Sequence, residues 1–241
     1  MSLPEIVSRQ EWTAARAELL AREKELTRAR DALVADRRRL PMVEMTTDYK
    51  FGGPHGEVGL ADLFEGRRQL IVQHIMFGPD EDRACPGCTA AADEVSTGLL
   101  SHLAHRDTTL CAVSRAPQPK LAAYREARGW PLAYYSSAGS DFNVDFGVTL
   151  GGSWGSDTYN YRPVPDDQRG ADEPLDAPGH SVFLRDRDRI FHTYSTYARG
   201  AEQLGGSYYF LDMTALGRQE EWEEPKGRAL GPRPSLPDYG E

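Results

Sequence analysis

Cys85 and Cys88, in Arg83-Ala84-Cys85-Pro86-Gly87-Cys88-Thr89, are the residues of this chain best spaced for chemistry. Two cysteines at i and i+3 on a first helical turn lie on one side, close enough to form a disulfide. Unpaired backbone N–H groups and the positive end of the helix dipole there favour a thiolate. Pro86 suits the first helical position, where its missing N–H is not needed. Cys85, nearer the helix N-terminus, is the expected nucleophile, and Cys88, a turn deeper, the expected resolving thiol. Arg83 favours the thiolate while Asp80, Glu81 and Asp82 oppose it, which predicts a modestly depressed Cys85 pKa. The alternative is a pair retained as a simple disulfide or metal clip. Cys111 sits inside an apolar run and reads as a small core residue.

The elements that must position the pair are legible around it. Leu70-Ile71-Val72-Gln73-His74-Ile75-Met76-Phe77 has the length and aliphatic content of a buried central strand. A helical pattern from Thr89 to His105 follows the cysteines. Strand, loop, C-x-x-C and helix is the order used by thiol redox sites. His74 alternates with Leu70, Val72 and Met76, which reads as a buried, hydrogen-bonded neutral imidazole, with a proton relay to the cysteines as the alternative. Asp93 reads as a partner-orienting group, a helix cap or a surface acid. A second buried strand at 108–114, a helix at 117–128 and a short strand at 130–136 then imply parallel pairing with right-handed crossovers.

Residues 149–179 lose this periodicity. A segment of that kind is a functional lid or a flexible excursion. Its Trp154, Tyr159 and Tyr161 are expected to pin the loop down or to close over a small substrate. Residues 180–184 and 189–197 read as a strand pair around the charged turn Arg185-Asp186-Arg187-Asp188. At the other end, residues 8–39 read as one helix with a capping box at Ser8 and Glu11. Its stripe of Trp12, Leu19, Leu26 and Leu33 suits a surface helix or a dimerisation arm. Pro225, Pro232, Pro234 and Pro237 mark an extended tail. The expected division is an N-terminal helical extension at 1–41, a main domain at 42–214 with its insertion at 149–179, and a Pro-rich tail at 215–241.

Composition narrows the class. A net charge of −9 over 241 residues argues against a large nucleic-acid surface. No run approaches the roughly 20 apolar residues of a membrane span. The first residues, Met1-Ser2-Leu3-Pro4-Glu5, do not begin a signal peptide, and three cysteines do not make a secreted framework, so a cytoplasmic location is expected. Cys85, Cys88, His102 and His105 imitate a zinc spacing. If residues 89–105 are one helix, His102 lies roughly 20 Å beyond Cys88 at 1.5 Å per residue, which excludes one shared ion. Asp141 to Asp145 resemble a calcium loop only until Phe146 and Gly152, where glycine and a bidentate glutamate are required. No metal and no dissociable cofactor are expected.

The chain looks like a thioredoxin fold, an α/β arrangement with a central mixed sheet flanked by helices. More narrowly, several phrases resemble the bacterial thioredoxin-like family known as domain of unknown function 899. They are residues 23–31, 37–42, the Cys85-Pro86-Gly87-Cys88 run, 114–117, 140–147 and 193–196. The resemblance implies a redox fold and no substrate. In working thioredoxins the pair is Trp-Cys-Gly-Pro-Cys. Here Ala84 replaces the tryptophan and the inner dipeptide is reversed. The proton-shuttling acid of those proteins would fall near Gln73, beside His74. The cis-proline that faces their cysteines would match His180, or Pro178 in a shifted register. Peroxiredoxins resemble this chain at Phe77-Gly78-Pro79 and Cys85-Pro86, but Asp82 stands where they carry threonine or serine.

The expected function is a thiol–disulfide oxidoreductase or thiol-dependent peroxidase. Cys85, Cys88, His180 and His74 form the candidate site, a small-molecule or protein disulfide or a peroxide is the substrate, and a cellular dithiol is the reductant. A homodimer built through the 8–39 helix is also expected. The alternative is a non-catalytic thioredoxin-like module that binds a partner through the insertion or that helix.

Overall fold

The structure, a computed structural model, describes residues 3–166, 173–204 and 206–227. Among these, residues of 3–41 and 211–227 cluster as one compact unit and those of 42–210 as another. In the first unit, helix α1 spans Arg9–Arg37. Its start follows from two side chains. The Ser8 hydroxyl accepts from the Glu11 N–H, and the Glu11 carboxylate accepts from the Ser8 N–H at 2.9 Å. No residue of α1 is buried. The tail beyond residue 227 lies outside the described residues.

The second unit carries β1 (Val43–Glu44), β2 (Lys50–Gly53), β3 (Gly56–Gly59), β4 (Gln69–His74), α2 (Pro86–Asp93), α3 (Thr97–Ala104), β5 (Thr108–Ser114), α4 (Gln118–Arg128) and β6 (Ala133–Ser136). There follow α5 (Phe142–Asp145), β7 (Thr149–Leu150), β8 (Thr158–Tyr159), β9 (Arg162–Pro163), β10 (Leu175–Asp176), β11 (Gly179–Asp186), β12 (Arg189–Tyr197) and, but for its last residue, α6 (Gly206–Leu211). Eight strands form one sheet in the order β1-β12-β11-β4-β5-β6-β2-β3. β4, β5 and β6 are parallel, and β11 and β12 add antiparallel on the other side of β4. With helices following β4 and β5, this is the thioredoxin-like α/β fold expected from the sequence.

Strand alternation divides the interior in two. Leu70, Val72, Cys111 and Val113 enter one core with Phe51, Phe64, Phe142 and Phe183. Ile75 and Ala112 enter the other, with Cys88 and Ala92 of α2, Leu121 of α4, and Trp130 and Tyr134. The first core owes much to α5. This short helix was not foreseen, because four residues carry no helical period. It brings the ring of Phe142 against that of Phe146, the residue just past its end, with centroids 4.6 Å apart.

Two expectations are corrected. The helix expected over 89–105 is two helices. Ser96 accepts from the Leu99 N–H and caps α3, so the chain breaks after Glu94 and restarts. The expected geometry for His102 therefore lapses; among the described residues, no group of three or more His, Cys, Asp and Glu side chains is placed to hold a metal. The insertion, in its described part, is not a structureless excursion. β7 pairs with β10, and β8 with β9. Tyr159 pins the segment from its core-facing side: its hydroxyl donates to the Pro178 carbonyl at 2.8 Å and accepts from the Ala198 N–H at 3.1 Å. Residues 167–172 lie outside the described residues.

Tyr159→Phe removes both bonds and leaves the ring. Denaturant unfolding is expected to show a loss of about 1–3 kcal/mol, the net worth of two such bonds. An unchanged midpoint would show that the hydroxyl does not hold the segment.

Candidate thiol site

After β4 the backbone leaves the sheet, loops through 78–84, and returns so that the Cys85 N–H donates to the Met76 carbonyl at 2.8 Å. The loop is clamped. Glu81 accepts from the Gly78 N–H at 2.6 Å, and the Lys120 ammonium from α4 donates to the Pro79 and Glu81 carbonyls at 2.6 and 2.8 Å. Cys85 is the N-cap of α2, with Pro86 inside the first turn. Cys85 is half-buried and Cys88 buried, and both are free thiols. At the far end of α2, Asp93 accepts from the Trp130 indole N–H at 2.6 Å, which gives this acid a structural partner.

The two sulfurs are polarised against each other. The Cys88 thiol donates to Cys85, and the Cys88 and Gly87 backbone N–H groups also point at it. Together these overcome partial burial and the Glu81 charge, and bring the Cys85 pKa down to about 5. The depression is deeper than helix position alone predicts, because its largest support is the second cysteine. The same bond, with burial, pushes the Cys88 thiol far up. Cys111 is fully buried in β5, and burial, with the Glu65 charge, pushes its thiol well up.

Cys85 and Cys88 border a cavity of about 230 Å³. Gln73, His74, Pro178 and His180 line its sheet side, Ala90, Ala91 and Glu94 its α2 side, and Ala201, Glu202 and Tyr208 its outer rim. Glu94 accepts from the Gly206 and Ser207 N–H groups, which ties the start of α6 to the end of α2. Neither Glu94 nor Tyr208 was singled out from the sequence, since both come from segments without a motif. His180 pairs with Gln73 across β4 and β11, on the sheet face of Ala112, which is the α2 side. Its Nδ1 is buried without a hydrogen-bond partner, and burial lowers its pKa to about 4.

His74 also borders the cavity, but its imidazole is engaged elsewhere. Its Nε2 is 2.8 Å from Ser181 Oγ, which is 2.9 Å from Ser195 Oγ, which is 2.8 Å from His192 Nε2. This chain lies among Phe142, Phe146 and Phe183, on the face away from the thiols. Burial brings the His74 pKa to about 3, so it is neutral at physiological pH. β11 opens with glycine because a Cβ on Gly179 would come within 2.6 Å of the Tyr197 ring.

Two outcomes follow from these charges. Alkylation of Cys85 should stay fast from neutrality down to about pH 5, and Cys88→Ala should move that midpoint upward by removing the sulfur donor. A midpoint near that of a free thiol in the wild type would contradict the polarised pair. His74 and His180 have lowered pKa values in the folded state, so the unfolded chain binds more protons between about 3 and the ordinary value of 6.5. Stability is therefore full above about pH 6.5 and falls as pH drops below it. His74→Gln should flatten that slope by one proton, read from denaturation midpoints across pH; an unchanged slope would contradict a neutral buried His74.

Comparison with solved structures finds thioredoxin-fold peroxiredoxins. The peroxidoxin BcpB of Mycobacterium tuberculosis is 17% identical, with 68% of this chain and 92% of that one covered at a TM-score of 0.45. The bacterioferritin comigratory protein of Xanthomonas campestris is 11% identical over 68% and 92%, at 0.46. A cysteine-to-serine variant of peroxiredoxin 6 of Arenicola marina is 14% identical over 68% and 70%, at 0.47. No curated protein matches the chain. No residue role transfers at these identities. The family profile described as bacterial protein of unknown function (DUF899) matches residues 1–231, and the chain belongs to that family.

Proposed function

We propose that the protein is a thiol-based oxidoreductase acting on a disulfide or a peroxide through Cys85 and Cys88. One arrangement supports this reading: a half-buried Cys85 at the α2 N-cap and a buried Cys88 one turn on border the same cavity, with the Cys85 pKa lowered and the Cys88 pKa raised by their proximity. The first is built to attack and the second to wait. With a disulfide R–S–S–R, the Cys85 thiolate bonds to one sulfur and releases the other as a thiolate, which takes a proton. Cys88 then bonds to Cys85 Sγ, its proton leaves, and the second R–S group departs. With a peroxide R–O–O–H, the Cys85 thiolate bonds to the terminal oxygen, the O–O bond breaks and R–O⁻ leaves and takes a proton; Cys88 then bonds to Cys85 Sγ and the oxygen departs as water with the Cys88 proton. Either route ends in a Cys85–Cys88 disulfide, and a cellular dithiol returns two electrons to it. A cytoplasmic location suits that reductant, and no described helix is long and apolar enough to cross a membrane.

A homodimer is proposed on separate grounds. α1 leaves Trp12, Leu19, Leu26 and Leu33 exposed along one stripe. A full-length protein that is monomeric by light scattering at tens of micromolar, where modest interfaces form, would end that proposal. The same stripe is what the non-catalytic binding reading would use.

Reductant-coupled turnover separates the readings. Cys85→Ser should abolish consumption of both a small disulfide and a hydroperoxide. Cys88→Ser should accumulate a covalent adduct on Cys85, seen by intact mass as a mixed disulfide. A Cys85→Ser variant as active as wild type would contradict the proposal.

A further inference from the structure

A second cavity, of about 310 Å³, borders the aromatic core on the face of the sheet away from the thiols. The dithiol reaction has no use for it. Three of its walls come from packed rings. Tyr49 and Phe146 have ring centroids 6.3 Å apart, and His192 meets Phe146 edge-on at 5.1 Å. Tyr197 closes a further side, its hydroxyl donating to the Phe146 carbonyl at 2.9 Å. The one carboxylate in the lining is that of Asp145. Its Oδ2 accepts from the Tyr49 hydroxyl at 2.6 Å, and the residue is exposed. Burial first, then the bond to Asp145 and its charge, raise the Tyr49 pKa, so that hydroxyl stays a neutral donor. Among the described residues, no lysine or arginine lines the cavity.

The remaining wall is held at a cost. β8 and β9 pair Tyr159 with Arg162, so their turn is Asn160-Tyr161. Both turn residues are left-handed, with φ of +50° and +62°. A two-residue turn of this hand favours Asn followed by Gly, and a tyrosine in the second place is strained. Burial returns little for that strain, since Tyr161 is 75% exposed. The strain fixes a position instead. The Tyr161 hydroxyl donates to the Ser195 carbonyl at 3.1 Å, and its ring meets that of Tyr197 with centroids 5.8 Å apart, at the edge of the cavity. Strained residues of this kind persist where the side chain they present is used.

We propose that this cavity binds a small organic ammonium ion, with its charge among the rings of Tyr49, Phe146, Tyr161 and Tyr197 and facing the Asp145 carboxylate. Aromatic faces carry negative partial charge and attract an alkylated ammonium that has shed its water. Asp145 adds a full negative charge with no cation of the protein beside it in the lining, so an anionic ligand is repelled. A hard metal ion is excluded by its need for several oxygen ligands. Among the described residues, no three His, Cys, Asp or Glu side chains are grouped to supply them. The site lies apart from Cys85 and Cys88 and stands whether or not they react.

The test titrates the full chain with choline and, separately, with its neutral isostere 3,3-dimethylbutan-1-ol. Binding is read from amide NMR shifts up to about 50 mM ligand, a range that registers weak sites. Choline should give saturable shifts centred on Asp145, Gly147, Thr158 and Tyr161, and the alcohol should bind weaker by about tenfold or more. Asp145→Asn keeps an oxygen for the Tyr49 hydroxyl but loses the charge, and should weaken choline about fivefold. Tyr161→Gly suits the left-handed backbone but removes the ring, and should weaken choline about 2- to 30-fold. Tyr161→Phe keeps the ring and should keep the affinity, and the double variant Cys85→Ser, Cys88→Ser should bind as the wild type does. Equal affinity for choline and the alcohol would show a plain apolar cavity and overturn the proposal. So would choline binding unmoved in both Asp145→Asn and Tyr161→Gly, or the absence of saturable shifts at these residues in the wild type.

Discussion

The placement of a buried Cys88 one helical turn beyond a half-buried Cys85 is the constraint on which the site depends. It keeps one sulfur at the helix N-cap and the other one turn deeper, so that the donor is dry and the acceptor meets the α2 N–H groups. That placement in turn needs the Cys85 N–H anchored on Met76 and the intervening loop clamped by Glu81 and Lys120. Neither cysteine alone would show the shift: a lone N-cap thiol lacks its strongest donor, and a lone buried thiol is inert. The pair stores the asymmetry that thiol exchange uses.

The sheet keeps that asymmetry separate from the rest of the protein's buried polar groups. Because strand side chains alternate, a one-residue difference sends Gln73 to the thiol side and His74 to the aromatic side. There His74 Nε2, the Ser181 and Ser195 hydroxyls and His192 Nε2 are linked across β4, β11 and β12, while His74 Nδ1 is buried without a partner. Such a chain ties three strands into register, since a slip in any one would strand a polar group among phenylalanines. On the cavity side His180 Nδ1 is likewise buried without a partner.

Much of this was legible because it is local. Ser8 with Glu11, the aliphatic run 69–74, the β5 segment and the Pro86 position each state their structure within a few residues. The parts that were not legible are set by long-range contacts. Nothing near Ser96 outweighs the helical pattern around it, yet its hydroxyl splits the helix. The insertion looks irregular because its order comes from Tyr159 reaching Pro178 and Ala198. Asp176 reads as one acid among several in an Asp/Pro-rich stretch. Only its partners, Arg115 at 61 residues' separation and Thr149 at 27, bring it into the core.

A depressed nucleophile pKa stabilises the reduced form, so it also fixes how oxidising the disulfide is. The most direct measurement is therefore the reduction potential of the pair, from equilibration in thiol–disulfide buffers with the products assigned by peptide mass. With Cys85 near 5, the account predicts a single two-electron transition of the Cys85–Cys88 bond between about −270 and about −120 mV, the values that accompany thiol pKa values of roughly 7 and 3.5. Cys111 should remain a thiol throughout. A potential below about −300 mV, the range of inert structural disulfides, or no Cys85–Cys88 bond at any poise, would contradict it.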